Sequence, residues 1–147
     1  MPYSYSVSAH SSAPPERVFA LLDDALSWTR WAKPTIGHAE WERQGDPPPG
    51  GVGAIRKLGR WPMYGREEIV EREPPSHHAY TMLSGNPVRN YRADIALVSD
   101  DRGGTNITWL GTFDPLVPGT GRVLVAIYGR LIGGFARKVA AYAEKSS

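Results

Sequence analysis

Two residues of opposite charge, Arg56 and Glu67, are the first candidates for chemistry in this sequence. Glu67 shares strand parity with Ile69 and is expected to point inward, whereas the parity of Arg56 is ambiguous because Ile55 would then face outward. A buried carboxylate requires a partner, which an arginine on the preceding strand would supply. Such a pair could orient a carbonyl or hydroxyl of a ligand, move a proton as a general acid or base, or serve structure alone, and we favour the structural role.

Histidine and cysteine offer no evident metal site or nucleophile. The chain contains no cysteine, which excludes disulfides, thiolate nucleophiles and zinc–thiolate sites. None of the four histidines stands at a metal-ligand spacing from a carboxylate, and His77 and His78, which follow a Pro-Pro-Ser turn, are expected at the surface. No glycine-rich loop joins a strand to a helix, and no serine lies in a nucleophile-elbow context. We therefore expect no metal and no cofactor.

Aromatic residues on the apolar parity of successive strands are the candidates for binding. Tyr80, Tyr91 and Trp109 each alternate with polar positions and should face the core side of a sheet. For any one of them a filled core is the commoner role, although a rigid ring with a polar tip also suits the wall of a cavity. Gly111 shares the parity of Trp109 and is expected to leave space where a side chain would otherwise fill the core.

The elements that would position these residues follow from periodicity and from turn-forming clusters. Tyr3–His10 alternates as an opening strand, and the prolines that follow it favour the start of a short helix. A second short helix over about residues 24–32 places Trp28 and Trp31 one turn apart. Six further strands are predicted at His38–Arg43, Gly53–Leu58, Tyr64–Arg72, His77–Ser84, Val88–Val98 and Thr105–Phe113. Short strands with short connections indicate an antiparallel meander.

The last predicted element is a long amphipathic helix over about Thr120–Lys145. Its apolar face carries Leu124, Tyr128, Leu131, Phe135, Val139 and Tyr142. Its opposite face carries Arg122, Arg130 and Arg137. A single antiparallel sheet must bury one face, and only this helix is large enough to cover it. Three glycines within the helix, each costing about 1 kcal/mol relative to alanine, indicate close packing, a bend that opens a pocket, or tolerated drift; they are Gly129, Gly133 and Gly134.

Composition and charge restrict the class of protein. A chain of 147 residues with 41% apolar and 22% charged residues suits one globular domain, here residues 1–147. The formal charge is only +2, and the arginine face of the long helix is most simply a solvated surface. We therefore expect no nucleic-acid partner and no stable membrane insertion. The chain carries no signal-peptide pattern, so we expect a cytoplasmic protein, as a monomer or homodimer.

Several short strings, in their order along the chain, resemble those of the polyketide cyclase/dehydrase branch of the START-like superfamily, also called SRPBCC. They are Ala13–Phe19, Trp28–Trp31, Gly51–Arg56, Arg66–Ile69, Glu73–Pro75, Gly85–Tyr91 and Gly103–Trp109. The resemblance covers nearly the whole chain and implies an α+β helix-grip fold of the START and Bet v 1 type. In that fold a curved antiparallel sheet wraps around a long C-terminal helix and encloses a ligand cavity. The resemblance implies less about activity, because members include cyclases, hydrolase-like enzymes and lipid carriers.

Residues and resemblance together predict a protein that holds a small hydrophobic ligand, such as a lipid or a polyketide-like aromatic, between sheet and helix. The residues expected to contact that ligand are Trp28, Trp31, Tyr80, Tyr91, Trp109, Gly111, Leu124, Tyr128, Leu131 and Phe135. The rival hypothesis is a cyclase or dehydratase in which Glu67 moves a proton while Arg56 or a tyrosine stabilises an enolate oxygen. A third alternative is a structural or regulatory interaction protein with a filled core.

Overall fold

The computed structural model describes residues 2–145 and contains the elements predicted from the sequence, in the predicted order. The strands are β1 (Tyr3–Ser11), β2 (His38–Arg43), β3 (Ile55–Arg60), β4 (Met63–Glu73), β5 (His77–Ser84), β6 (Val88–Ser99) and β7 (Thr105–Pro115). The helices are α1 (Pro15–Asp23), α2 (Trp28–Trp31) and α3 (Gly121–Lys145). The second predicted short helix is in fact two pieces, a 3₁₀ turn at Ala25–Ser27 that leads directly into α2.

The seven strands form one antiparallel sheet in the order β1-β7-β6-β5-β4-β3-β2. Six consecutive strands therefore make the predicted meander, and β1 pairs with β7 at one edge. Register shifts near residues 41–43, 66–67, 69–71 and 89–92 mark bulges, which increase the local twist and bend a sheet. The result is the curved sheet of a helix-grip fold.

Strict alternation buries one face of this sheet. In β7 every second residue from Thr105 to Phe113 is buried, so Trp109 faces inward as predicted. The long helix lies against that face with Leu124, Tyr128 and Phe135 buried. The three arginines predicted on its opposite face are exposed, at Arg122, Arg130 and Arg137.

Helix α3 packs most closely over β1 and β7. Ser11 Oγ donates a hydrogen bond of 2.8 Å to the carbonyl oxygen of Ala140, which fixes the second half of the helix to the end of β1. A Cβ on Gly133 would lie 3.4 Å from Arg137 Nη1 and 3.6 Å from Val7 Cγ1, which are ordinary van der Waals distances, so helix–strand packing there does not require a glycine. Gly129 and Gly134 would meet nothing within 4 Å, and no contact in the structure explains them.

Within residues 2–145, no helix combines the length and the hydropathy that crossing a bilayer demands. The long helix α3 carries an exposed arginine face along its length, which is typical of a helix that covers a sheet on one side and meets water on the other.

Candidate functional site

A cavity of about 290 Å³ lies between α3 and the part of the sheet formed by β3, β4 and β5. Its inner end is formed by buried side chains, namely Trp28, Glu67, Tyr80, Tyr91 and Phe135. Its outer end is formed by exposed or half-buried residues, namely Thr35, Arg60, Met63, Gly85 and Asn86. The cavity is therefore open to solvent on one side, and its volume is near the lower end of the range for ligand sites.

Part of the predicted site lines this cavity and part does not. The predicted residues on the wall are Trp28, Glu67, Tyr80, Tyr91, Tyr128, Leu131 and Phe135. Three others, Trp31, Trp109 and Leu124, are buried in the core outside the wall. Trp109, for example, packs edge-on against Trp28 with ring centroids 6.0 Å apart. Trp31 and Trp109 support the wall rather than forming it, because both rings pack against Trp28 and Phe135.

The wall also includes apolar residues that were not among the predicted contacts. They are Ile36, Leu58, Met63, Tyr64, Met82 and Ile132. Strand alternation could have predicted the inward direction of two of them, because Leu58 lies on the same face of its strand as Arg56 and Met82 on the same face as Tyr80. Ile36 lies in the irregular segment after α2, where no periodicity marks a buried side chain.

Glu67, held in an ion pair by Arg56, forms the polar end of the cavity. The two residues are directly opposite each other on β3 and β4, and Arg56 Nε donates a hydrogen bond of 2.9 Å to Glu67 Oε1. The guanidinium is fully buried, with its carbon 4.7 Å from the ring centroid of Trp28 and 4.8 Å from that of Tyr80. Arg56 therefore points inward, which resolves its ambiguous parity, and it stands beside the wall without being part of it.

Glu67 is the carboxylate that reaches the cavity. Burial raises the pKa of Glu67, and the charge and hydrogen bond of Arg56 oppose that rise. The side chain retains 11% exposure on the cavity side. Among residues 2–145, Arg56 is its hydrogen-bond partner and binds Oε1. The second oxygen, Oε2, is thus available to a molecule in the cavity.

Tyr80, Tyr91 and Tyr128 remain neutral hydroxyls over the physiological pH range. Tyr5 and Tyr91 are hydrogen-bonded to each other through their hydroxyl groups. Tyr128 donates a hydrogen bond of 2.9 Å to Asn86 Oδ1, which joins α3 to the turn between β5 and β6. Burial raises the pKa of Tyr128 to about 12 and those of Tyr80 and Tyr91 well above the usual value. None of these phenols is placed to act as an anionic base.

Gly111 does not leave open space, so that prediction is wrong. It pairs with Tyr5 across β1 and β7, and a Cβ added to it would overlap Tyr5 Cε2. The buried Tyr5 ring therefore lies over the glycine and occupies the volume that a side chain would need. Alternation within β7 alone could not reveal a ring contributed by β1, which is distant in sequence.

Gly111→Ala is expected to destabilise the protein by about 1–3 kcal/mol, because the new methyl group would force the packed Tyr5 ring to move. Gly129→Ala is the matched control on α3, where a Cβ meets nothing and alanine is favoured by about 1 kcal/mol. Urea unfolding should therefore show a lower free energy of unfolding than the wild type for Gly111→Ala and a higher one for Gly129→Ala. Two variants of equal stability would contradict the close contact between Tyr5 and Gly111.

His78 is buried, so its predicted surface position is also wrong. Its side chain is 1% exposed, packs edge-on against Phe19, and shares the inward parity of Tyr80. Neither ring nitrogen has a hydrogen-bond partner among residues 2–145, and Nε2 lies 3.8 Å from Asp23 Oδ1. His77, on the opposite parity, is half-buried. The turn before this pair suggested a surface location, but the alternation of β5 determined the outcome.

Burial, reinforced by nearby positive charges, lowers the pKa of His78 well below its usual value. A free histidine titrates near 6.5. Below about pH 6.5 the unfolded chain therefore binds a proton that the folded protein does not, and stability is lost as the pH falls. The loss from one such group is at most about 1.4 kcal/mol per pH unit.

His78→Leu should consequently show a flatter dependence of unfolding free energy on pH than the wild type, between about pH 7 and pH 5.5. His38→Leu is the matched control, because the His38 side chain is 50% exposed and pairs with Glu40 at the surface. Urea unfolding at several pH values measures the slope of unfolding free energy against pH for the wild type and for each of the two variants. If His78→Leu keeps the wild-type slope, the buried neutral histidine is not responsible for it.

No group of three or more histidine, cysteine, aspartate or glutamate side chains within residues 2–145 is arranged to hold a metal ion. The polar groups that do line the cavity are a carboxylate, hydroxyls and an amide, which can bind a polar atom or move a proton.

Comparisons with known proteins agree with this architecture. A START superfamily protein from Mycobacterium smegmatis superimposes with a TM-score of 0.83 at 11% identity, over 99% of both chains. The crystal structure of Ara h 8.0201 gives a TM-score of 0.75 at 20% identity, also over 99% of both chains. A solution structure from Thermobifida fusca gives 0.76 at 29% identity, over 97% of this chain and 91% of that one.

No curated protein matches the sequence significantly. The structural matches below 25% identity establish the fold alone, and that fold is the helix-grip fold of START proteins. Residues 3–144 match the model of one protein family, a span that includes every strand and nearly all of α3. The chain therefore belongs to the family described as polyketide cyclase / dehydrase and lipid transport.

Proposed function

We propose that this protein binds a small hydrophobic ligand, a lipid or a polyketide-like aromatic, in the cavity between α3 and strands β3–β5. The observation that carries the proposal is the cavity itself, about 290 Å³ in volume, mainly apolar, and open at one end. A cavity favours a binding protein or an enzyme over an interaction protein with a filled core. Apolar walls favour a ligand that leaves water at little cost.

The entrance is held by two hydrogen bonds that join separate parts of the chain. Tyr128 joins α3 to the turn after β5, and Arg60 Nη1 donates a bond of 3.0 Å to the carbonyl oxygen of Pro34 in the segment after α2. Both donors belong to residues that line the cavity. A site whose shape is fixed before binding loses less conformational entropy when the ligand enters.

Native mass spectrometry of the purified protein tests the proposal. We expect a bound species whose added mass is that of one small molecule, recovered by organic extraction and identified from the extract. Gly65→Leu, in which a larger side chain would enter the cavity between Met82 and Asn86, should lack that species. An added mass retained in Gly65→Leu would place the molecule elsewhere and contradict the proposal.

A second candidate function is proton transfer by Glu67 within the same cavity, as in a cyclase or dehydratase. The observation that favours it is a carboxylate of raised pKa that faces an apolar space and is positioned by Arg56. The carboxylate would remove a proton from the carbon next to a ligand carbonyl and later return one to it. Deuterium uptake by 2-tetralone in D₂O, followed by NMR, should be catalysed by the wild type and not by Glu67→Gln. Equal rates would exclude this role.

The setting that we propose is the cytoplasm, with the protein acting as a monomer or homodimer and without a nucleic-acid partner or stable membrane insertion. The low net charge and the solvated arginine face of α3 support the part of this proposal that concerns nucleic acid and membranes.

A further inference from the structure

We propose that the ligand is a neutral molecule of one or two fused rings that donates a hydrogen bond from a hydroxyl group to Glu67. This inference rests on the proposed function and specifies the class of molecule that the same cavity accepts. Three properties of the cavity carry it: its volume, the shape and nature of its walls, and the charge state of its polar end.

The volume limits the size of the ligand. A water-sized group occupies about 30 Å³ in the liquid, so a cavity of about 290 Å³ holds about ten such groups. One bicyclic ring system, or one chain of about ten carbons, is of that size. A lipid with two long acyl chains is several times larger and would have to remain mostly outside the entrance.

The walls favour a flat ring over a flexible chain. The rings of Trp28 and Phe135 lie 5.7 Å apart at an interplanar angle of 80°, and Tyr91 and Tyr128 lie 5.6 Å apart at 57°. All four residues line the cavity. A further ring can make edge-to-face or offset contacts with such surfaces, which stabilise an aromatic pair beyond the burial of area. A rigid ring also loses less conformational entropy on binding than a chain does.

The polar end accepts a hydrogen bond. Glu67 Oε1 is occupied by Arg56, and Oε2 is available. Among the neighbouring hydroxyls, those of Tyr5 and Tyr91 bond each other and that of Tyr128 donates to Asn86. A carboxylate oxygen is a stronger acceptor than a neutral group. The complementary group on a ligand is therefore a donor, and a hydroxyl on a ring meets that requirement without adding charge.

The charge at this end is already balanced. Arg56 neutralises Glu67, and its guanidinium is fully buried against Trp28 and Tyr80, where a ligand cannot reach it. A carboxylate on the ligand would approach Glu67 without a free cation to compensate, and an uncompensated charge is strongly disfavoured in an apolar space. An ammonium group on the ligand would lose its hydration and gain no free anion in return, because the negative charge of Glu67 is already paired with Arg56. A neutral ligand avoids both penalties.

Three ligands of nearly equal size test this inference on the wild-type protein: 2-naphthol, which donates a hydrogen bond; 2-methoxynaphthalene, which does not; and 2-naphthoate, which is anionic. Quenching of tryptophan fluorescence or calorimetry gives the affinities. We expect 2-naphthol to bind at least about tenfold more tightly than either analogue, which is about 1.4 kcal/mol. Glu67→Gln should reduce this preference at least about threefold, since a neutral amide is the weaker acceptor. Glu68→Gln, on the outward parity, should not.

The outcomes separate the two proposals. If 2-methoxynaphthalene binds as tightly as 2-naphthol, or if 2-naphthoate binds most tightly, the ligand class is wrong while the binding function stands. If none of the three binds, the binding function fails as well. If Glu67→Gln does not fold, the comparison of the three ligands on the wild type decides the matter alone.

Discussion

Arg56→Met is expected to destabilise the protein by about 3–5 kcal/mol, which is the cost of leaving one member of a buried ion pair without its partner. In this variant Glu67 would remain in an apolar environment and lose the hydrogen bond to Oε1. The contacts of the guanidinium with Trp28 and Tyr80 would also be lost. Urea unfolding monitored by fluorescence measures the difference in unfolding free energy between Arg56→Met and the wild type.

Two further variants separate the ion pair from general packing. Arg43→Met removes an exposed arginine that lies 3.5 Å from Glu68, and such surface pairs contribute at most about 1 kcal/mol. The double variant Arg56→Met/Glu67→Leu removes both charges and should recover most of the lost stability. If it is as unstable as Arg56→Met, packing of the arginine, and not the unpaired carboxylate, explains the effect.

Trp109→Ala should also cost about 3–5 kcal/mol, as is usual for removing a tryptophan from a packed core. Its side chain is fully buried, and its ring lies 6.0 Å from that of Trp28 and 6.5 Å from that of Phe135. Both neighbours line the cavity. The loss of Trp109 should therefore weaken the wall without removing a direct contact to the ligand.

Trp61→Ala is the matched control for this substitution, because Trp61 is 81% exposed at the turn between β3 and β4. Its effect on stability should remain within about 0.5 kcal/mol. A loss at Trp109 no larger than the loss at Trp61 would mean that the Trp109 ring is not part of a close-packed core.

The fold was predictable because its signals are periodic and local. Alternation in β6 and β7 placed Tyr91 and Trp109 on the buried face, and the spacing along α3 separated Leu124 from the exposed arginines. Turn-forming clusters gave the breaks between strands. Each of these patterns depends only on residues that are neighbours in sequence, so it can be recognised from one amino-acid sequence.

The site was only partly predictable because it depends on contacts between distant segments. The space at Gly111 is filled by Tyr5, a residue of another strand. Ile36 lines the cavity from an irregular loop that carries no period. The inward direction of Arg56 could be decided only by its pairing with Glu67 across two strands.

A substitution at Gly65 tests most directly whether a ligand binds between α3 and strands β3–β5. A Cβ on Gly65 would lie 3.5 Å from Met82 Sδ and 3.7 Å from Asn86 Nδ2, which are ordinary contacts. A leucine there can therefore extend among the residues that line the cavity without displacing the backbone. Gly134→Leu is the control, because that position on α3 is open.

The measurement is a titration of the wild type and both variants with an environment-sensitive apolar dye. The wild type should bind it with micromolar affinity, equivalent to about −8 kcal/mol. Gly65→Leu should weaken binding at least about tenfold while the protein remains folded, and Gly134→Leu should leave it unchanged. Dye binding that is absent from the wild type, or equally strong in Gly65→Leu, would contradict the binding function assigned to this cavity.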